Sequence, residues 1–529
     1  MNALPKPMHR TMLLLLVSIL LSCTTSSAQD VLRIDPMTLV ALQEARNASA
    51  ELELFPGWDF ARAPVLLYRP GVQDVLLNHP SPPDGFIRYT GRHPLGDEVF
   101  HVRNDSTHFD LDGQNTADEV GGERVLIVAD PVSTMRSQLQ SLPFMPDDAR
   151  EEWLANWSFL GSPYDLITTI LHEGFHVYQY EQADKFADET IITRYPLLDP
   201  VNNALHEVEG AILLAAARSD DAAFQHEALR HFAAVRMTRH ARLSPDVADY
   251  EIRNEYVEGL AKYIEYRFYK DGHGLTAAPE MYLDEGFSGY GDRLAERMEE
   301  QHTFSERLFS GDIAVNNDRF GAGNLRFKLY PMGALEGLLL DAVAPSWKSR
   351  IFEPGVYQST LLVDAAALTD VDRARLVREA KAQYGYDEAY ARRQTYEREG
   401  LLAADAQLKA ILETDETLVR ISYGSHSDDA PGLSFTPFGV TRLSDTRTIY
   451  TMVPIGARFS DSARLRMNIA TPVLVDQDRQ EVVFAVPTSI DGFTEGDVTG
   501  VHIQDFDLTG DPMKVAINGN EVTIALQRK

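Results

Sequence analysis

Residues 50 to 135 alternate short apolar runs with turn signals. The runs 63–68, 74–77, 86–89 and 124–129 are separated by Pro- and Gly-rich stretches such as His79-Pro80-Ser81-Pro82-Pro83-Asp84-Gly85, a pattern that predicts short strands. The run 124–129 is expected at the edge of the resulting small sheet, free to add a peptide as a further strand. From 145 to 415 the apolar period becomes helical, with breaks near Ser244-Pro245, Asp271-Gly272 and Ala344-Pro345 and a Gly-containing, partly polar loop over 306–326. After Leu418 the period returns to two, with strands expected at 419–423, 448–453, 463–469, 482–486, 498–503 and 522–526. The pattern specifies an α+β chain: a mixed region with a small sheet over 31–145, a mainly helical region over 146–416, and a C-terminal antiparallel β domain over 417–529.

One helix carries candidate chemistry. Ser162-Pro163-Tyr164-Asp165 has the form of a helix start, with Ser as N-cap, Pro at the first position and an acid three residues after the cap. Leu166, Ile167, Ile170, Leu171, Phe175 and Tyr178 then give a broad apolar face. Within that run stands His172-Glu173-Gly174-Phe175-His176. Residues four apart share a helix face, so both imidazoles can aim at one Zn2+ ion. Glu173 is rotated away from them yet stays beside the open coordination position, where a carboxylate can act as general base on water. The plainer alternative is a pair of core histidines bonded to backbone carbonyls.

A catalytic zinc takes three protein ligands, and no third His follows at the metzincin spacing: the chain continues Val-Tyr-Gln-Tyr-Glu-Gln-Ala-Asp. The third ligand is therefore expected to be an acid on a later helix. Glu258, in Asn254-Glu255-Tyr256-Val257-Glu258-Gly259-Leu260-Ala261-Lys262-Tyr263, lies 82 residues after His176. Glu255, Glu207 and Glu209 compete with it. Either of the last two could instead orient a ligand histidine through its second nitrogen. The similar-looking His226-Glu227-Ala228-Leu229-Arg230-His231 spaces its histidines by five, in a charged segment, and reads as a solvated helix surface.

E-G-L-A-x-Y downstream of an H-E-x-x-H helix resembles the gluzincin zinc metallopeptidases, the thermolysin- and aminopeptidase-N-like superfamily. The resemblance implies a zincin-like catalytic region with a small sheet before its active-site helix. It also implies Glu258 as third ligand beside His172 and His176, and peptide or protein as substrate. Gly259 would leave space for close approach of the two motif-bearing helices. Leu329-Tyr330-Pro331-Met332-Gly333-Ala334, 72 residues after Glu258 when counted to Tyr330, is similar to the Y-x-x-G segment of the aminopeptidase-N-like members. That similarity gives Tyr330 the role of stabilising an oxyanion; a Tyr packing at a helix start is the alternative. The matched motifs span roughly residues 160–345. Two features depart from the pattern: no G-A-M-E-N-like segment precedes the zinc helix, and Lys262 stands where thermolysin-like enzymes carry an acid, so exopeptidase action is not implied. A silent surface lipoprotein on the same scaffold, or a zinc hydrolase of non-peptide substrates, are the rival readings. An intact Glu173 argues against the silent one, since a binder needs no general base.

The amino terminus adds a location. Lys6, His9 and Arg10 precede the apolar run 12–21, so residues 1–22 resemble an export signal, too short for a stable membrane span. Leu20-Leu21-Ser22-Cys23 resembles a bacterial lipobox, with 23–30 as tether. Cys23 is the chain's one cysteine, which rules out an intramolecular disulfide and a thiolate metal site. Thr24 after it implies outer-membrane retention; ordinary cleavage after Ala28 gives a periplasmic or extracellular protein instead. The formal charge is −30, and loss of Lys6 and Arg10 makes it −32. Such an acidic chain repels nucleic acid and anionic membranes, so membrane contact is expected only through a lipidated Cys23. The lipobox reading predicts that Cys23→Ala moves the protein from the membrane fraction to the soluble one with its activity intact. Mass spectrometry of the mature amino terminus checks it, and a chain starting at Gln29 would overturn it.

Overall fold

A computed structural model describes residues 31–93, 95, 98–104, 115–131, 162–314, 320, 322–424, 431–434, 439–444, 446–451, 455–469 and 471–527. The signal 1–22, Cys23, the tether 23–30 and the junction expected near 145 lie outside these residues. The fold is mixed α+β, with a small amino-terminal sheet, a helical middle and a curled carboxy-terminal sheet. Among the described residues no helix is long and apolar enough to cross a membrane.

Helix α1 (Pro36–Leu52) opens with Pro at the first position and the Asp35 carboxylate accepting from Met37 N at 2.9 Å. It precedes a six-stranded sheet of β1 (Val65–Arg69), β2 (Gln73–Leu77), β3 (Ile87–Arg88), β4 (Phe100–Arg103), β5 (Thr116–Val120) and β6 (Glu123–Ala129), in the order β3-β4-β2-β1-β6-β5. Alternate residues bury opposite faces: Val65, Leu67, Val75, Leu77, Leu126 and Val128 join the main core with the helices, while Leu66, Tyr68, Leu76, Val125 and Ile127 form a smaller cluster behind. The expectation of an edge strand at 124–129 is corrected here. β6 lies between β1, to which it is parallel, and β5, which is the edge among the described residues. The sequence Thr-Ala-Asp-Glu-Val of β5 shows no apolar alternation: Asp118 and Glu119 are exposed, Thr116 and Ala117 half-buried, and Val120 alone is buried. β4 was likewise not expected.

The helical region follows with α2 (Pro163–Gln182), α3 (Pro200–Ala217), α4 (Ala222–His240), α5 (Pro245–Asp271), α6 (Gly291–Ser310), α7 (Ala322–Val343), α8 (Gln358–Ala366), α9 (Asp370–Gln383) and α10 (Tyr386–Leu412). The breaks at Ser244-Pro245, Asp271-Gly272 and Ala344-Pro345 coincide with helix boundaries. The loop expected over 306–326 is shorter, since α6 runs on to Ser310 and α7 begins at Ala322. Ser162 occupies the N-cap position of α2, but its hydroxyl makes no capping bond. Tyr330 is not at a helix start: α7 continues through Pro331, held by buried Leu325, Lys328, Leu329, Met332 and Leu335 on both sides of the proline.

The closest helix packing joins α5 to α7. A Cβ on Gly259 would stand 2.6 Å from Gly333 Cα, and one on Gly333 would stand 2.1 Å from the Glu255 carbonyl oxygen. Gly259 thus makes room for α7, not for the His172 helix as its motif implied. On α2 the space left by Gly174 is filled by the Phe60 ring.

Among the described residues the carboxy-terminal sheet has eleven strands, β7 (Thr417–Ser422), β8 (Gly432–Ser434), β9 (Val440–Arg442), β10 (Arg447–Tyr450), β11 (Gly456–Arg458), β12 (Arg464–Met467), β13 (Val473–Asp476), β14 (Glu481–Val486), β15 (Gly496–His502), β16 (Phe506–Asn518) and β17 (Glu521–Leu526). All pairings are antiparallel except β17 with β7. The longest strand, β16, was missed from the sequence because Gly510-Asp511-Pro512 reads as a turn. Gly510 has φ +124°, and a Cβ there would collide with the Ser462 carbonyl, so β16 bends at a position open only to glycine. The sheet's core is continuous with Ile192, Tyr195, Tyr250, Leu325 and Leu329 of the helical region.

Because backbone cannot yield as a side chain can, Gly259→Ala and Gly333→Ala are each expected to lose about 1–3 kcal/mol or more. Urea unfolding measures this against Gly274→Ala, where nothing lies within 4 Å. Wild-type midpoints for both variants would refute the close-packing argument.

Candidate metal centre

Helix α2 places His172 and His176 one turn apart, both buried, with ring centroids 4.8 Å apart. Their Nε2 atoms are 3.2 Å from each other. The Oε2 atom of Glu258, on α5, stands 3.5 Å from each of them. These three are the one group of possible metal ligands among the described residues. The triangle can be tested against zinc. Bonds of about 2.0–2.2 Å to a tetrahedral ion put neighbouring ligand atoms about 3.4 Å apart. The observed edges of 3.2, 3.5 and 3.5 Å fit that geometry, and two imidazoles with a carboxylate are a suitable donor set.

The second ring nitrogens fix the tautomers. His172 Nδ1 lies 2.8 Å from Glu265 Oε1, and His176 Nδ1 lies 3.0 Å from Gln179 Oε1. Gln179 Nε2 donates to the Tyr256 carbonyl at 2.9 Å, so its oxygen is the atom left to accept from His176. With both Nδ1 atoms donating, both Nε2 lone pairs face the Glu258 carboxylate, as metal ligation requires. Lys262 donates to the other oxygen of Glu265 at 2.7 Å. Arg326, on α7, donates to Glu258 Oε1 at 3.0 Å and pairs with Glu189 at 2.6 Å, which leaves Glu258 Oε2 for the ion.

Electrostatics match the geometry. Burial works against a proton on His172, yet the hydrogen bonds to Glu258 and Glu265 outweigh it and push the group up to about 10. Burial likewise opposes ionisation of Glu258, but the two histidines hold its carboxyl well below the usual range. A cation is thus favoured between these groups, and a metal would displace the proton. Glu173, half-buried beside them, is raised by burial against the opposing pull of His172 and His176. Tyr330 stacks nearly parallel to His172 at 6.0 Å. Burial and the Glu258 carboxylate push its phenol far up, so it stays a hydrogen-bond donor at neutral pH. Tyr180 lies in the same way on His176, at 5.1 Å.

The competing acids are committed elsewhere. Arg236 holds Glu255 with two bonds, of 2.7 and 2.9 Å, and Glu209 with one of 2.9 Å. Glu207 accepts from Arg393 at 3.0 Å and from Arg392. Neither Glu207 nor Glu209 orients a ligand histidine. That part belongs to Glu265, two helical turns after Glu258, and to Gln179, one turn after His176. Both spacings were readable as shared helix faces; their partners were not. His231 also differs from expectation: it is buried beside Tyr384, while His226 is exposed. Comparison of the chain with protein-family models, curated proteins and solved structures finds no match.

The arrangement generates a binding prediction. The protein should take up one zinc ion. Glu265→Gln should weaken its affinity about 10–100-fold, and His176→Ala should abolish uptake. Titration against a competing chelator measures both. Unchanged affinity in the Glu265 variant would show that the carboxylate does not support the ligand.

Proposed function

We propose that the chain is an exported zinc peptidase of gluzincin type, with His172, His176 and Glu258 as ligands, Glu173 as general base and Tyr330 as oxyanion donor. The observation that carries this reading is the near-tetrahedral triangle of ligand atoms, whose outer nitrogens are held by Glu265 and Gln179. Bound zinc supplies a Lewis acid that makes water nucleophilic near neutral pH and polarises a carbonyl. Glu173 takes the proton of the attacking water and delivers it to the departing amine. Its half-buried carboxyl, raised by burial, suits both transfers. Tyr330 donates to the oxygen on which charge develops.

Two features favour a peptide as substrate. Strand β5 packs beside α2 and presents a polar outer edge, a place where extended backbone can add. A cavity of about 340 Å³ adjoins His172 and Glu173, walled by Tyr266, Tyr269, Phe304, Phe327 and Tyr330. Its Lys262 is paired with Glu265 and its Asp165 with Arg297. With those charges matched inside the protein, the wall suits a bulky apolar side chain of the substrate. Attachment to a membrane through a lipidated Cys23 belongs to the same proposal.

Glu173→Gln keeps the shape of the site and removes the base, so hydrolysis should fall about 10²–10⁴-fold while zinc content stays at one. Tyr330→Phe should lower kcat by about 10²-fold. Cleavage of a mixed peptide library, with metal analysis alongside, reads both effects. A wild-type protein that binds zinc and cleaves no peptide would overturn the proposal.

A further inference from the structure

We propose that Arg124 and Tyr180 form a subsite for a carboxylate of the substrate, on the His176 flank of the metal centre. The inference rests on the peptidase reading, since it assigns one part of that substrate. A peptide cut at the metal extends in both directions by about 3.3 Å per residue. The aromatic cavity adjoins His172 and Glu173, and neither Arg124 nor Tyr180 belongs to its wall. With one side of the scissile bond directed into that cavity, the chain on the other side passes His176.

Tyr180 follows His176 by one helical turn, so its side chain leans back over that ring. The two rings are stacked at 5.1 Å, with 15° between their planes. The phenol lies in electrostatic reach of Glu258, Glu173, Arg326 and Arg124. Its hydroxyl makes no hydrogen bond with any described residue. Phe186, 48% exposed, packs against Tyr180 at 4.8 Å and continues the ledge toward solvent.

Strand alternation turns Arg124 toward the same place. On β6 it shares a face with Leu126 and Val128, which join the main core with the helices. Its guanidinium carbon lies over the Tyr180 ring, 5.5 Å from the centroid. Acids outnumber bases 79 to 49 in the chain, so carboxylates to pair with it are not scarce. Yet this half-buried arginine forms no ion pair among the described residues. Glu119 stands opposite it on β5 but is exposed and not joined to it. Lys262 and Arg326, which also stand near the ligands, are matched by Glu265 and by Glu258 with Glu189. The guanidinium of Arg124 and the hydroxyl of Tyr180 are therefore left for a ligand. A planar guanidinium beside a hydroxyl is suited to a carboxylate, and the contact with the Tyr180 ring places the arginine before that ligand arrives.

The test titrates short peptides of mixed sequence into the full chain, loaded with zinc and carrying Glu173→Gln so that no cleavage intervenes. Each peptide is used as carboxy-terminal acid and as amide, and with Asp or Asn at each position in turn. At one place along the peptide the carboxylate should bind about 10-fold tighter than its neutral counterpart. Arg124→Met should bring the two forms to equal affinity with zinc content unchanged, and Tyr180→Phe should lower the ratio. A ratio carried by the terminal acid assigns the subsite to the peptide end; one carried by Asp assigns it to a side chain. Equal binding of charged and neutral forms, a ratio that survives Arg124→Met, or no binding of any peptide overturns the proposal. If Arg124→Met does not fold, Arg124→Gln takes its place. Wild-type cleavage with no carboxylate preference sinks the subsite alone. An Arg124-dependent ratio in a chain whose wild type cleaves nothing sinks the peptidase reading alone.

Discussion

Arg236 and Arg239 of helix α4 are completely buried, and the packing of the helical region is arranged around them. Arg236 reaches Glu209 on α3, Glu255 on α5 and Glu336 on α7; Arg239 reaches Glu209 and Glu251. Two guanidinium groups thus tie together the helices that surround them, each through carboxylates that have no other charge partner as close. Glu251 is completed by His240 at 2.9 Å and by the Tyr195 hydroxyl. Four carboxylates against two arginines would leave excess negative charge. Burial relieves it, raising Glu255 to about 7 and Glu336 well above its usual range, so protons make up the difference. Breaking one such buried pair typically costs about 3–5 kcal/mol, because a charge is left unmatched in the interior. The register of α5 is therefore fixed by Glu251 and Glu255, and with it the position of Glu258 one turn further on.

The candidate metal centre inherits that rigidity. Each proposed ligand is held by a second group on a different part of the fold: His172 by Glu265 on α5, His176 by Gln179 and through it the Tyr256 carbonyl, Glu258 by Arg326 on α7. The Gly259–Gly333 contact lets α7 approach closely enough for Arg326 and Tyr330 to reach the site. Charge, hydrogen bonding and backbone proximity thus converge on a few square ångströms. This is the preorganisation that binding a divalent cation such as zinc in a fixed geometry demands.

The cavity beside His172 is aromatic and its charges are paired inside the protein, whereas the smaller cavity beside Lys328 is walled by Arg393, Glu397 and Asn324 together with leucine and aromatic side chains. The same helix, α7, lines both. Its Tyr330 and Phe327 belong to the first and its Lys328 to the second, an alternation that follows from the 100° step between successive helical residues. The carboxy-terminal sheet covers another side of α7 through Leu325 and Leu329, so every face of this helix is in use.

Local information was enough for local structure. The 3.6-residue period and the Ser162-Pro163 start gave α2, the break at Ser244-Pro245 marked where α5 begins, and the i, i+4 spacing put His172 and His176 on one face. The strands with alternating apolar residues were legible too. Strands β4 and β5 were not, since one is short and the other faces solvent, nor was β16, whose Gly-Asp-Pro segment reads as a turn. The candidate site divides in the same way. The histidines and Glu173 are specified within five residues of chain. Which carboxylate faces them is decided by partners far away in sequence. Glu255, Glu209 and Glu207 all had suitable chemistry, and each is taken by an arginine of α4 or α10, while of these four acids only Glu258 presents an oxygen to the two Nε2 atoms. The interior position of β6 depends likewise on pairing with β1, 61 residues earlier in the chain at Val65↔Leu126. A sequence displays the period and chemistry of each element. It does not display which buried charges will meet, because that choice minimises the desolvation of all of them at once and exists only when the helices are packed.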